Sequence, residues 1–200
     1  MYRKCFKRVI DFVFALSMLI VFSPFMLIIA VTIKLDSKGP IVFKQKRLGK
    51  GGKEFWMYKF RTMVVNAETG GVYSDNKDPR ITKVGTFLRK TSLDELPQCV
   101  NILKGDMSLI GFRPPLTYHP WGWTEYTTEQ KRMFEVRPGI TGWAQVNGRK
   151  AIEWNHRIEL NVWYIDNVSL WLDLKIMWFT VWKVLSNADN ENVGATVQTK

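Results

Sequence analysis

"LIVFSPFMLI", residues Leu19–Ile28, lies inside the longest apolar run of this 200-residue chain. From Phe12 to Ile33 only Ser17, Ser23, Pro24 and Thr32 interrupt the non-polar side chains. A run of about 22 residues is long enough to cross a hydrocarbon core of about 30 Å as a straight helix. Near its middle, however, Pro24 removes an N–H from the i→i−4 ladder and kinks or breaks a helix. Ser23, just before it, can rebond a freed backbone carbonyl. Both flanks are basic: Arg3, Lys4, Lys7 and Arg8 precede the run, and Lys34, Lys38, Lys44, Lys46, Arg47, Lys50 and Lys53 follow it. Lys/Arg-rich flanks stay in the cytoplasm, so a straight span forces one of them outside. A hairpin broken at Ser23–Pro24 keeps both inside. The charge and the proline favour re-entry; an ordinary kinked spanning helix is the alternative. The run is too long for a signal peptide, and no small-x-small cleavage site follows it, so it reads as retained.

Working outward, 29 Lys+Arg against 18 Asp+Glu leave a formal charge of +11, which points to an anionic partner. Nine Trp favour a membrane–water interface over a purely globular core. Cys5 and Cys99 are too few and too far apart for a disulfide framework and read as reduced, cytosolic thiols. Three segments follow: 1–36, a re-entrant membrane helix; 37–185, a cytoplasmic catalytic part; and 186–200, a polar tail. "IVFKQ" and "EFWMYKFRTM" read as short strands around a Gly-rich turn at 49–52. "VGTFLRK", "LDELPQCVNILKG", "IEWNHRIELNVWYIDN" and "SLWLDLKIMWFTVWKVL" read as helices. In the last, Trp171, Trp178 and Trp182 share one face, which fits either a helix lying on the bilayer or one packed in the core. "VRPGITGWAQVNGR" reads as a Gly/Pro-punctuated loop.

The chemistry concentrates in "TSLDELPQ". Asp94 and Glu95 are adjacent carboxylates where the pattern predicts a helix start. Capping explains them as well as chemistry does: Ser92 and Glu95 have capping-box spacing, and Asp94 as cap puts Pro97 in the first turn. Lys59, Arg61, Arg89 and Arg113 tilt the balance toward chemistry. An ionised Asp is a nucleophile toward phosphorus, and cations or Mg²⁺ offset the repulsion between it and a diphosphate. His119 and His156 lack zinc-site spacing, and neither a Walker loop, a GxGxxG turn nor a GxSxG elbow occurs. No nucleic-acid module is recognisable. A basic membrane-surface scaffold and a glycosyl transferase that moves sugar without phosphate are the rival readings.

"KRVIDFVFALSMLIVFSPFMLIIAVTIKLDSKGPIVFKQKRLG", "FWMYKFRTM", "DPRITKVGTFLRKTSLDELPQCVNILKGDMSLIG", "VRPGITGWAQVNGR" and "ELNVWYIDNVSLWLDLKIM" occur in that order. Together they resemble the bacterial sugar transferase family, in particular its minimal monotopic polyprenyl-phosphate phosphoglycosyl transferases. The resemblance implies a mostly helical α/β membrane protein: a re-entrant helix broken at Ser23–Pro24, interfacial helices and a small catalytic part with a β-hairpin, on the cytoplasmic face of the bacterial inner membrane. It implies transfer of a phosphosugar from a UDP-sugar to undecaprenyl phosphate with release of UMP, by ping-pong chemistry through a phosphosugar adduct on Asp94. Glu95 would assist, with Mg²⁺ at Asp94. Lys59, Arg89 and Arg113 would hold phosphates; Arg137, Asn147 and Arg149 would serve the nucleotide. UDP-sugar, undecaprenyl phosphate and inner-membrane phospholipid are the implied partners, with no nucleic acid; the minimal members lean the donor toward an N-acetylated amino sugar. One departure stands out. The family's Gly-Pro-Arg-Pro reads Gly111-Phe112-Arg113-Pro114 here, which removes a φ lock ahead of Arg113 and leaves Phe112 able to face lipid or the acceptor chain.

Overall fold

A computed structural model describes residues 2–71, 78–148 and 153–186. It is mostly helical, with one short antiparallel hairpin. The apolar run forms a single helix, α1 (Lys7–Asp36), with Pro24 inside it. The expected break is therefore absent from the hydrogen-bonded backbone. The reason is local: Pro24 leaves the Ile20 carbonyl without its i+4 donor, and the Ser23 hydroxyl donates to that same carbonyl at 2.9 Å. One lost ladder bond is replaced, so the helix continues.

α1 is long and apolar enough to cross a membrane by length and composition. Its buried residues, however, sit only toward the two ends: Asp11 and Ala15 at one, Ile29 and Ile33 at the other. No residue from 16 to 28 is buried, and Ile20, Val21 and Leu27 are each about two-thirds exposed, at 66%, 69% and 67%. Both ends dock by polar contacts as well. Asp11 accepts from the Ser108 hydroxyl (2.7 Å) and the Leu109 amide (3.0 Å), and Arg8 donates to the Ile102 carbonyl. At the other end Arg61 donates to the carbonyls of Lys38 and Ser37, and Asp36 accepts from the Val84 amide. Arg61, buried, thus clamps the end of α1 rather than the carboxylate pair.

Strands β1 (Val42–Leu48) and β2 (Glu54–Phe60) form the antiparallel hairpin, with Lys44 opposite Tyr58 and Lys46 opposite Trp56. The turn between them holds Gly51 at φ 64° and Gly52 at φ 76°, left-handed values that glycine adopts without strain. Helices α2 (Lys83–Thr91) and α3 (Gln98–Lys104) follow. The sequence did not resolve the next pairing: β3 (Ser108–Ile110) lies parallel to β4 (Gly139–Thr141). Three-residue strands carry too little alternation to be recognised. What holds them is close backbone approach. A Cβ on Gly139 would meet the Gly111 amide at 2.1 Å, and one on Gly142 would meet the Gly111 carbonyl at 1.8 Å.

Short helices α4 (Thr128–Lys131) and α5 (Trp143–Val146) lead to α6 (Trp154–Asp166) and α7 (Leu170–Leu185). The α7 residues read as one Trp face are exposed: Trp171 80%, Trp178 71% and Trp182 56%. That disposes of the core-packing alternative for this face. The opposite face buries Ile176 and Asp173. Asp173 accepts from the Tyr2 and Tyr164 hydroxyls and from Lys7, tying the start of α1 to α6 and α7.

Candidate active site

α2 ends on Ser92, whose left-handed backbone (φ 59°) sends its N–H to the carbonyls of Leu88 and Arg89. A single 3₁₀ turn, Leu93–Glu95, follows, and α3 begins after Pro97. Neither Ser92 nor Asp94 makes a side-chain cap, so the capping reading of this motif fails. The short turn instead aims both carboxylates at the hairpin.

Lys59, on β2, meets them. Its Nζ lies 2.6 Å from Glu95 Oε1 and 3.6 Å from Asp94 Oδ2. Arg113, just past β3, donates to the same Glu95 oxygen at 3.3 Å. Arg89 on α2 donates through Nε to Thr62 Oγ1 at 2.9 Å, and its charge reaches Asp94. Thr62 was not singled out from the sequence, since a lone threonine after a strand carries no signal of its own. The side chains of Asp94, Glu95 and Lys59 are 13–17% exposed, whereas that of Arg113 is 45% exposed. Arg113 therefore lines the open side of the site. Four of the residues expected to act together, Lys59, Asp94, Glu95 and Arg113, do meet, and Arg89 stands beside them.

The two carboxylates differ electrostatically. Burial raises both. At Glu95 Lys59 and Arg113 more than reverse that, holding it at about 2. At Asp94 burial, helped by the neighbouring Glu95 charge, prevails over Lys59, Arg113 and Arg89, and the group is raised. Glu95 is thus a fixed anion that orients two cations. Asp94, held at longer range, is the more basic of the pair.

Arg113 is positioned without the family's first proline. The Phe112 side chain is 1% exposed and packs edge-on against Phe134 at 4.9 Å, so it faces the core and neither lipid nor an acceptor chain. The Phe112 carbonyl accepts from the Gly139 amide at 2.9 Å, and the Pro114 carbonyl accepts from Arg47 at 3.0 Å. Hydrogen bonds to the carbonyls on both sides of Arg113, one from a backbone amide and one from the Arg47 side chain, and a buried ring replace the missing φ lock.

Arg137 and Asn147, expected at the nucleotide, make their hydrogen bonds away from the carboxylate pair. Arg137 donates to the Gly105 carbonyl at 2.8 Å, beyond the C-terminal end of α3, whereas Asp94 and Glu95 precede its start. That separation is about 10 Å of helix. Asn147 is exposed at the end of α5, its amide on the Trp143 carbonyl. Arg149 lies outside the described residues, as do residues 187–200 of the expected tail. Among the described residues no group of three or more His, Cys, Asp or Glu gathers as a metal cluster. Two adjacent carboxylates are nonetheless the donor set Mg²⁺ uses when it takes its remaining ligands from water and substrate phosphates.

The family model described as bacterial sugar transferase matches residues 2–187. The sugar transferase EpsL of Bacillus subtilis (strain 168) is 48% identical over 180 residues, covering 90% of this chain and 87% of that protein. The UDP-glucose:undecaprenyl-phosphate glucose-1-phosphate transferase of Escherichia coli (strain K12) is 41% identical over 187 residues, 90% of this chain and 40% of that protein. The UDP-N-acetylgalactosamine-undecaprenyl-phosphate N-acetylgalactosaminephosphotransferase of Aeromonas hydrophila is 44% identical over 184 residues, 90% of this chain and 44% of that protein. The chain thus spans less than half the length of the latter two. Proteins named for different sugars match it almost equally well, so overall similarity does not separate the donors.

Proposed function

The chain belongs to the bacterial sugar transferase family, and from that premise we propose that it transfers a sugar 1-phosphate from a UDP-sugar to undecaprenyl phosphate, releasing UMP. The observation that carries this reading is the Asp94–Glu95 pair, held between Lys59 and Arg113 on a body whose first helix exposes an apolar midsection. An Asp94 carboxylate oxygen attacks the β-phosphorus of the UDP-sugar. A P–O bond to that phosphorus forms, the bond to the bridging oxygen breaks, and UMP leaves with the bridging oxygen. An oxygen of undecaprenyl phosphate then attacks the same phosphorus and frees Asp94. Glu95 stays ionised and keeps Lys59 and Arg113 turned toward the phosphates; Arg89 adds charge from α2. Mg²⁺, when bound, would be held by Asp94 and supplies further neutralisation of the diphosphate. By motif position Arg137, Asn147 and Arg149 serve the nucleotide, and Arg137 also holds the Gly105 carbonyl at the end of α3.

The membrane arrangement belongs to the same proposal. Both ends of α1 dock on one body, no residue from 16 to 28 is buried although Met18, Leu19 and Met26 pack against the core, and both flanks are basic. We read α1 as entering and leaving the bilayer by one face, the cytoplasmic face of the inner membrane, as one helical run bent at Pro24 rather than broken there, with Ser23–Pro24 at its deepest point. The exposed Trp face of α7 lies at the headgroup level of that face.

The test is nucleotide release from a panel of UDP-sugars with undecaprenyl phosphate and Mg²⁺. UMP as product supports the proposal; UDP as product supports transfer of sugar alone and overturns it. Incubation with the UDP-sugar alone traps a phosphosugar on the peptide containing Asp94. Full turnover by Asp94→Asn refutes the nucleophile assignment.

A further inference from the structure

Lys59 and Glu95 are 36 positions apart. Apolar packing on either side of Lys59, of Met57 with Cys99 and Ile102 and of Phe60 with Leu93 and Leu96, brings their segments together. Asn101 adds directional bonds that such packing lacks. It lies on α3, 0% exposed, and its carboxamide faces the free edge of β2. Its Oδ1 accepts from the Tyr58 amide at 3.0 Å, and its Nδ2 donates to the Trp56 carbonyl at 2.7 Å and to Asp106 Oδ2 at 3.2 Å. One side chain thereby acts as a one-residue neighbouring strand. It fixes how far β2 is advanced along α3, and Lys59 is the next residue of β2. A slip of one position would turn Lys59 to the opposite face.

We propose that Asn101 is a positioning residue that sets Lys59 against Asp94 and Glu95. This rests on reading that pair as the reacting site. The test is a double-mutant cycle of Asn101→Ala with Lys59→Ala, followed by UMP release. If Asn101 acts through Lys59, Asn101→Ala lowers kcat on the order of 10–100-fold, the scale of a displacement of about 1 Å, with KM for the UDP-sugar within about threefold. In the Lys59→Ala background it costs less than about threefold more.

Asn101→Ser keeps only part of the strand contact and provides the milder variant if Asn101→Ala does not fold; it lowers kcat by less, again with KM nearly unchanged. Fully multiplicative effects overturn the proposal and leave Asn101 a packing residue. Where Lys59→Ala alone abolishes turnover, Lys59→Arg takes its place in the cycle. Full activity of Asp94→Asn is a separate outcome: it overturns the reading of the site on which this proposal stands. Loss of activity in Asp94→Asn with a multiplicative cycle overturns only the role of Asn101.

Discussion

At Asp94, burial and the adjacent Glu95 charge raise the carboxyl, while Lys59, Arg113 and Arg89 pull it down; burial prevails. In the proposed mechanism the ionised form attacks, so kcat/KM for the UDP-sugar rises with pH along an acid limb set above the ordinary aspartate value of 3.8. Glu95→Gln removes a like charge and frees Lys59 for Asp94, so that limb moves down. Lys59→Ala moves it up. A pH–rate series on the two variants checks the opposite signs. For stability the signs are also opposed. Glu95 is depressed to about 2, so its stabilisation is complete above its ordinary value of 4.5 and is lost as pH falls toward 2. Asp94 is raised, so its ionisation opposes folding at neutral pH and protonation relieves that cost. Phe112 makes a further residue-scale prediction. Because its ring fills the core, Phe112→Pro does not restore a family loop but leaves a cavity, with a loss of about 3–5 kcal/mol typical of buried aromatic truncation. Denaturant unfolding in detergent measures it.

Among the elements, α1 decides the topology. The proposed topology puts both ends on the cytoplasmic face, so it predicts that Cys5 and a cysteine introduced at Lys38 are both protected from a membrane-impermeant thiol reagent in intact cells. Labelling of either from outside refutes re-entry. Replacing Ser23 with Ala and Pro24 with Leu restores an uninterrupted ladder and drives the segment toward spanning, seen as new labelling at one end. The pairing of α1 with α7 is electrostatic as well as apolar: the Lys7–Asp173 ion pair has side chains only 12% and 6% exposed. Removing one partner of a buried pair costs about 3–5 kcal/mol, so Asp173→Ala lowers the unfolding midpoint sharply. Substituting Trp171, Trp178 and Trp182, exposed already, leaves that midpoint nearly unchanged and weakens vesicle binding instead.

Over the whole molecule, a charge of +11 is combined with an apolar surface on α1 and α7. Binding to vesicles containing anionic lipid therefore weakens with salt, through screening, yet persists at high salt through the apolar contact. Flotation at rising salt reads both parts, and complete release at high salt would leave only a charged surface. Much of this was legible in the chain: the apolar run, the basic flanks, the hairpin about its glycine turn, the Trp stripe and the carboxylate pair all have local signatures. Arg61 was not, since a cation beside a motif looks the same whether it serves the motif or clamps a helix end. Nor was Asn101, whose three partners lie on residues 56, 58 and 106.

Residue type and spacing settle those properties that need only neighbours along the chain. Helical and strand periodicity, the proline with its serine, and the presence of two adjacent acids belong there. Which acid is held ionised by cations, whether the helix survives Pro24, where Phe112 points and which arginine reaches the open side of the site were decided only in three dimensions. Each depends on groups brought together from distant segments: a hydroxyl on the freed carbonyl, a parallel strand pair closed by glycine contacts, and Lys59 delivered by β2. Burial and charge act through space, so their balance at Asp94 and Glu95 exists only once β2, β3 and the turn before α3 have met.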